Sequence, residues 1–158
     1  MDLLTFALIS LVVYSGLLFG ALLSYWVKEE LKPGEHYFKL AKRFIYFVLI
    51  ATTCLIVGIE QWMVMLAIFL LLVVAYVKFM DSRYIQVFLG VILYYFRNHE
   101  LFAIVASLIF IFNFPTATLM IQKAIKKGLV DRQKVIMSIL VTHLWFFVGV
   151  VFFLFNIN

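Results

Sequence analysis

The chain has 158 residues, of which 66% are hydrophobic and 13% charged, and its formal net charge is +5. Soluble domains carry roughly 45–50% apolar and about 25% charged residues, and a fold of this length could not hide so much apolar surface from water. These figures exclude an ordinary soluble enzyme, a disulfide scaffold and a disordered tail, and they point to an all-α integral membrane protein.

The first apolar run, Leu3–Val27, has 25 residues and no basic residue before it. It is too long for the 7–15 apolar residues, roughly, of a signal peptide, so it is expected to stay as a spanning helix. Gly16, Gly20 and Ser24 recur along it at four-residue spacing. Such a ridge of small residues lets a second helix backbone come close, which is what drives helix association in lipid.

The segment 28–43 follows. Pro33-Gly34 is a strong turn signal, so the next helix is expected to start after it, through Tyr37–Arg43. Glu29, Glu30, Glu35 and His36 are metal-capable types, but their spacing matches no zinc or calcium pattern. Five basic residues nearby are expected to pair with those acids instead. No metal and no cofactor is expected anywhere in the chain.

The runs Phe44–Ile59 and Gln61–Val77, with Glu60 between them, cover 34 residues, about 51 Å as one helix. A bilayer core is about 30 Å thick, so a hairpin is expected at Ile59–Trp62. Tyr84–Phe96 has only 13 residues and would span only with Arg83 and Arg97 snorkelling to opposite surfaces. Leu101–Gln122 and Val135–Asn158 are each long enough alone.

The basic residues set the expected topology. With six crossings, segments 28–43, 78–83 and 123–134 share one side and hold 12 basic residues, against Arg97 alone on the other. Without the fourth crossing the division becomes 8 against 5. Basic loops stay in the cytoplasm. The expectation is one polytopic domain of six transmembrane helices in three hairpins, at 3–27, 44–59, 61–77, 84–96, 101–122 and 135–155. Both termini would lie outside the cell membrane, with outer-tip charges at Glu60, Arg97 and Glu100. The basic charge then serves topology, and nucleic acid is not an expected partner. The lone Cys54 sits in an apolar run and reads as a small core residue.

Polar residues inside apolar runs are costly and tend to be functional. Counted inward from the basic surface, Thr52 and Thr53, then Asn113, Thr116 and Thr118, then Thr142 and His143 reach similar depth. Pro115 frees the carbonyl near Ile111, which its polar neighbours are expected to satisfy. These positions predict a polar layer between three helices, with His143 facing Asn113 and Thr116. The functional expectation is transport or conduction of a small solute or ion through that layer. The alternative is a non-catalytic scaffold or accessory subunit of a larger membrane complex, resting on the Gly16, Gly20 and Ser24 ridge. A lipid-acting enzyme using His36 ranks third, since the sequence carries no phosphate loop, HExxH or nucleophile elbow. The expected partners are the lipid bilayer and either further copies of the chain or a larger complex.

Overall fold

A computed structural model describes residues 1–27, 31–57, 82–126 and 131–156. The fold is all-helical, with no strand among the described residues. The helices are α1 (Leu3–Trp26), α2 (Leu31–Val57), α3 (Ser82–Tyr95), α4 (Phe102–Lys126), α5 (Arg132–His143) and α6 (Trp145–Asn156). Among the described residues three stretches are long and apolar enough to cross a membrane: Leu3–Trp26, Phe102–Lys126 and Arg132–Val151. The apolar run 61–77, Glu60 and the hairpin expected at 59–62 lie outside the described residues.

Helix α1 starts where Asp2 accepts a hydrogen bond from the Thr5 N–H at 3.4 Å, covering a donor that the first turn leaves without a partner. Its buried residues are Phe6, Ser10, Val13, Gly16, Leu17, Gly20, Ala21 and Ser24. Their spacing of three and four puts them on one face. The opposite face carries exposed Leu4, Leu8, Leu11, Phe19 and Leu22. An apolar outer face of this kind is what lipid solvates.

Helix α2 departs from the expectation. It is already helical at Leu31, so Pro33-Gly34 makes no turn. Pro33 is the third residue of the helix, where the backbone N–H has no acceptor within the helix and its loss costs nothing. Helix α4 runs one turn beyond the expected end at Gln122, and Lys123 and Lys126 sit in its last turn. Cations there complement the helix dipole.

The last apolar run is two helices, not one. Leu144 donates its N–H to Val141 at 3.3 Å instead of to Leu140. Leu140 is thereby left with a free carbonyl, and the Tyr14 hydroxyl of α1 donates to it at 2.5 Å. Asp131 caps the start of α5, accepting from the N–H groups of Gln133 and Lys134.

Side-chain pairings fix the relative directions. Ser24 meets Thr118, and Met1 meets Asn98 just before α4, so α1 and α4 run parallel. Glu35 meets Lys126 while Tyr46 meets Phe112, so α2 is antiparallel to α4. Arg132 covers Tyr25 and Leu140 meets Tyr14, so α5 is antiparallel to α1. One pole of the bundle therefore gathers Glu35, Lys39, Lys123, Lys126 and Arg132. The other gathers the amino terminus with Asn98.

Two apolar clusters fill the interior. The larger joins Phe6, Tyr46, Leu49, Leu89, Phe112 and Phe146 of five helices, and the smaller joins Leu17, Ala21, Ala117, Ile121, Val135 and Ile139 nearer the basic pole. Helix α3 is short, 14 residues or about 21 Å. It begins about 6 Å on the basic side of Asn113, which Gln86 bonds, and runs towards the amino-terminal pole, where Asn98 bonds Met1.

Candidate functional site

Asn113 lies fully buried near the middle of α4. Its Nδ2 donates to the Val13 carbonyl of α1 at 3.0 Å, and its Oδ1 accepts from Gln86 Nε2 of α3 at 3.2 Å. One amide thus ties three helices. Gln86 is itself 1% exposed, and its Oε1 finds no hydrogen-bond partner among the described residues. Gln86 escaped the sequence reading, although it is the only uncharged amide within the fourth apolar run.

A second tie lies towards the basic pole. Ser24 Oγ meets the Gly20 carbonyl at 2.6 Å and Thr118 Oγ1 at 2.9 Å, while Thr118 donates to the Phe114 carbonyl at 2.9 Å. Gly16 and Gly20 lie beside it, directly against the α4 backbone. A Cβ at Gly16 would stand 2.6 Å from the Phe110 carbonyl oxygen, and one at Gly20 would stand 2.7 Å from that of Phe114. Helix α1 makes its most extensive contact with α4 along this ridge. A comparable close approach, unforeseen from sequence, joins α3 to α6. Gly90 lies on the Phe146 carbonyl and Gly149 on that of Val87.

The other expected members of the layer are distributed differently. Pro115 is buried within α4, and its polar neighbours serve carbonyls other than that of Ile111: Thr116 donates to Phe112 at 2.9 Å and Thr118 to Phe114. Thr52 and Thr53 donate to Val48 and Leu49 of their own helix. They do not share the depth of Asn113. Tyr46 already stands at the level of Phe112, so Thr52 lies about 9 Å further towards the amino-terminal pole. Depth counted from Phe44 puts the membrane entry there, whereas α2 already lies against α4 at Glu35 and Lys42. Thr142 donates to Ser138 of its own helix at 2.7 Å.

His143 is fully buried, as an inward-facing residue must be. Its Nδ1 meets the Ile139 carbonyl at 2.7 Å. A carbonyl can only accept, so Nδ1 carries a proton, and in the neutral ring Nε2 is then an acceptor; Nε2 has no partner among the described residues. The structure does not bond His143 to Asn113, whose amide is committed to Val13 and Gln86. Lys42 of α2 lies over the Phe112 ring at 5.6 Å.

At the basic pole Glu35 joins α2 to α4. It pairs with Lys39 and with Lys126, each at 2.7 Å, and accepts from Gln122 Nε2 at 3.1 Å. Hydrogen bonds from Lys126 and then Lys39 hold its carboxyl well below the usual carboxylate range, near 2. This matches the pairing of acids with nearby bases expected for the segment. Glu29 and Glu30 lie outside the described residues. His36 is exposed, edge-on to Tyr37. At the opposite pole Arg97 lies over the Tyr94 ring at 5.1 Å, and Glu100 is exposed. No group of three His, Cys, Asp or Glu converges among the described residues.

Chemically, the arrangement offers interhelix amide and hydroxyl bonds and, among the described residues, two buried acceptors without donors. No family model, no curated protein and no solved structure matches the chain.

Proposed function

We propose that the protein is a non-catalytic membrane scaffold or accessory subunit whose intramembrane polar groups lock its helices together. The observation that supports this reading is the commitment of Asn113: both ends of its amide are used within the protein, on Val13 and Gln86. The glycine contacts of α1 with α4 and of α3 with α6 point the same way, since backbones so close leave no room for a solute between them. In this proposal the chain crosses the cell membrane six times, the short α3 completing its crossing only with Arg83 and Arg97 snorkelling to opposite surfaces, with the basic pole in the cytoplasm and both termini outside. The positive-inside bias of the sequence is the support for that orientation.

Transport of a small solute or ion is the second reading, favoured by a separate observation. Gln86 Oε1 and His143 Nε2 are buried acceptors without donors among the described residues. Such groups cost free energy, and a proton or hydrated ion would satisfy them.

Proteoliposomes loaded with a pH-sensitive dye separate the two. Under an imposed pH gradient and a potassium diffusion potential, the scaffold reading expects no flux above protein-free vesicles. It also expects the protein solubilised mildly from its own membranes to migrate at a larger mass than the purified chain. Flux that His143→Leu abolishes would replace it with the transport reading.

A further inference from the structure

A groove of about 550 Å³ opens between α1, α2 and α4 on the basic half of the bundle. That volume falls within the roughly 300–1,000 Å³ of small-molecule sites. Its walls are Leu23 and Val27 of α1, Tyr37 and Phe38 of α2, and Phe114 of α4. Its floor includes the bonded hydroxyl pair of Ser24 and Thr118. Gly34 adds backbone to the α2 wall, beside the Phe38 ring. Leu23, Val27 and Tyr37 are exposed along the mouth.

The groove lies between α1 and α4, both long and apolar enough to cross a membrane, so acyl chains are the natural neighbour of its apolar walls. The charge beside it is positive. Glu35 and Lys39 follow directly on the groove residues Gly34 and Phe38, and Lys126 stands two turns beyond Thr118 on α4. Two ammonium groups share one carboxylate here, and both remain about half exposed, at 49% and 55%. Lys123 and Arg132 occupy the same pole.

We infer that this groove seats one acyl chain of an anionic phospholipid, with the headgroup phosphate against Lys39 and Lys126. The apolar walls alone would accept any lipid, since lipid tails are as apolar as leucine. Selection rests on the headgroup, and each basic side chain near the surface is worth about a fivefold preference for negative charge.

Native mass spectrometry tests this. The full chain is reconstituted in vesicles of equal palmitoyl-oleoyl phosphatidylglycerol and phosphatidylcholine, then released and its retained lipid counted. The expected result is one phosphatidylglycerol per chain, favoured over phosphatidylcholine by more than about fivefold. Leu23→Trp, at an exposed position, should fill the groove and remove the retained lipid while the helical circular dichroism stays unchanged. Lys39→Gln with Lys126→Gln should keep a retained lipid and lose the preference. Equal retention of both lipids by the natural chain, or retention unchanged by Leu23→Trp, overturns the inference. So does a dimer that Leu23→Trp dissolves, because the groove would then belong to a second copy.

Discussion

The Tyr14 hydroxyl of α1 donates to the Leu140 carbonyl of α5 across 2.5 Å, at the point where the helical hydrogen-bond ladder skips a residue. The break before Leu144 would otherwise leave that carbonyl without a donor inside a membrane, which costs several kcal/mol in hydrocarbon. Tyr14 also packs its ring against Phe146 and Phe147. Replacing it by phenylalanine keeps the ring contacts and removes only the donor. Tyr14→Phe should therefore lower stability in detergent by about 1–3 kcal/mol. An unchanged melting temperature would mean that Leu144 returns its N–H to Leu140.

The glycine ridge gives a second expectation. Gly20→Ala would put a methyl group 2.7 Å from the Phe114 carbonyl oxygen, so α1 and α4 must separate. Overpacking of this kind costs about 1–3 kcal/mol. Gly34→Ala is the matched control. Its methyl meets the side chain of Phe38, which can swing, and alanine is the better helix former. Thermal unfolding in detergent should drop for the first and stay within about 0.5 kcal/mol for the second.

Asn113 and Gln86 should be energetically coupled. A double-mutant cycle of Asn113→Leu and Gln86→Leu isolates their bond, with an expected coupling of about 0.5–2 kcal/mol. Strict additivity would show that the bond contributes nothing to the fold.

The Glu35 bridge carries a pH dependence. Its folded carboxyl titrates near 2, below the ordinary 4.5, because Lys126 and Lys39 hold the ionised form. A depressed folded value means stabilisation that is complete above the ordinary value and is lost as pH falls towards 2. Glu35→Gln should lower the melting temperature at pH 7, and the gap from the natural chain should close between pH 4.5 and 2. A gap that persists at pH 2 would assign the loss to Gln122 and helix contacts instead.

The proposed orientation predicts labelling. In a background with Cys54→Ser, an impermeant thiol reagent added to intact cells should reach Asn98→Cys and not Lys126→Cys. The reverse pattern would invert the protein in the membrane.

Much of the bundle was legible in the sequence because spacing reports a face. Gly16, Gly20 and Ser24 lie one turn apart, and four-residue periodicity needs no tertiary information to read. Basic residues likewise marked one pole. Pro33 misled because a proline signals a turn only where a helix would need its N–H, and in a first turn it does not. The depth of Thr52 and Thr53 is not legible from the charge-free run, because α2 packs on α4 from Glu35 and Lys42, before that run begins. Gln86 was passed over as a single polar residue in a short run, and its value exists only once Asn113 is opposite. The break at Leu144 had no local marker at all. Neither glycine nor proline stands there, and the bond that accommodates it comes from Tyr14, 126 residues away.

The parallel pairing of α1 with α4 has a consequence for how the chain is made. The hydroxyl that Ser24 meets belongs to Thr118, 94 residues later. At about 5–20 residues per second, translation takes roughly 5–20 s to produce it. Through that interval the small-residue face of α1 must sit against lipid or against provisional neighbours that arrive earlier. The pairing of α1 with α4 is therefore a late event, and α4 takes a place on α1 that lipid or an earlier neighbour has held, with α5 and α6 still to follow.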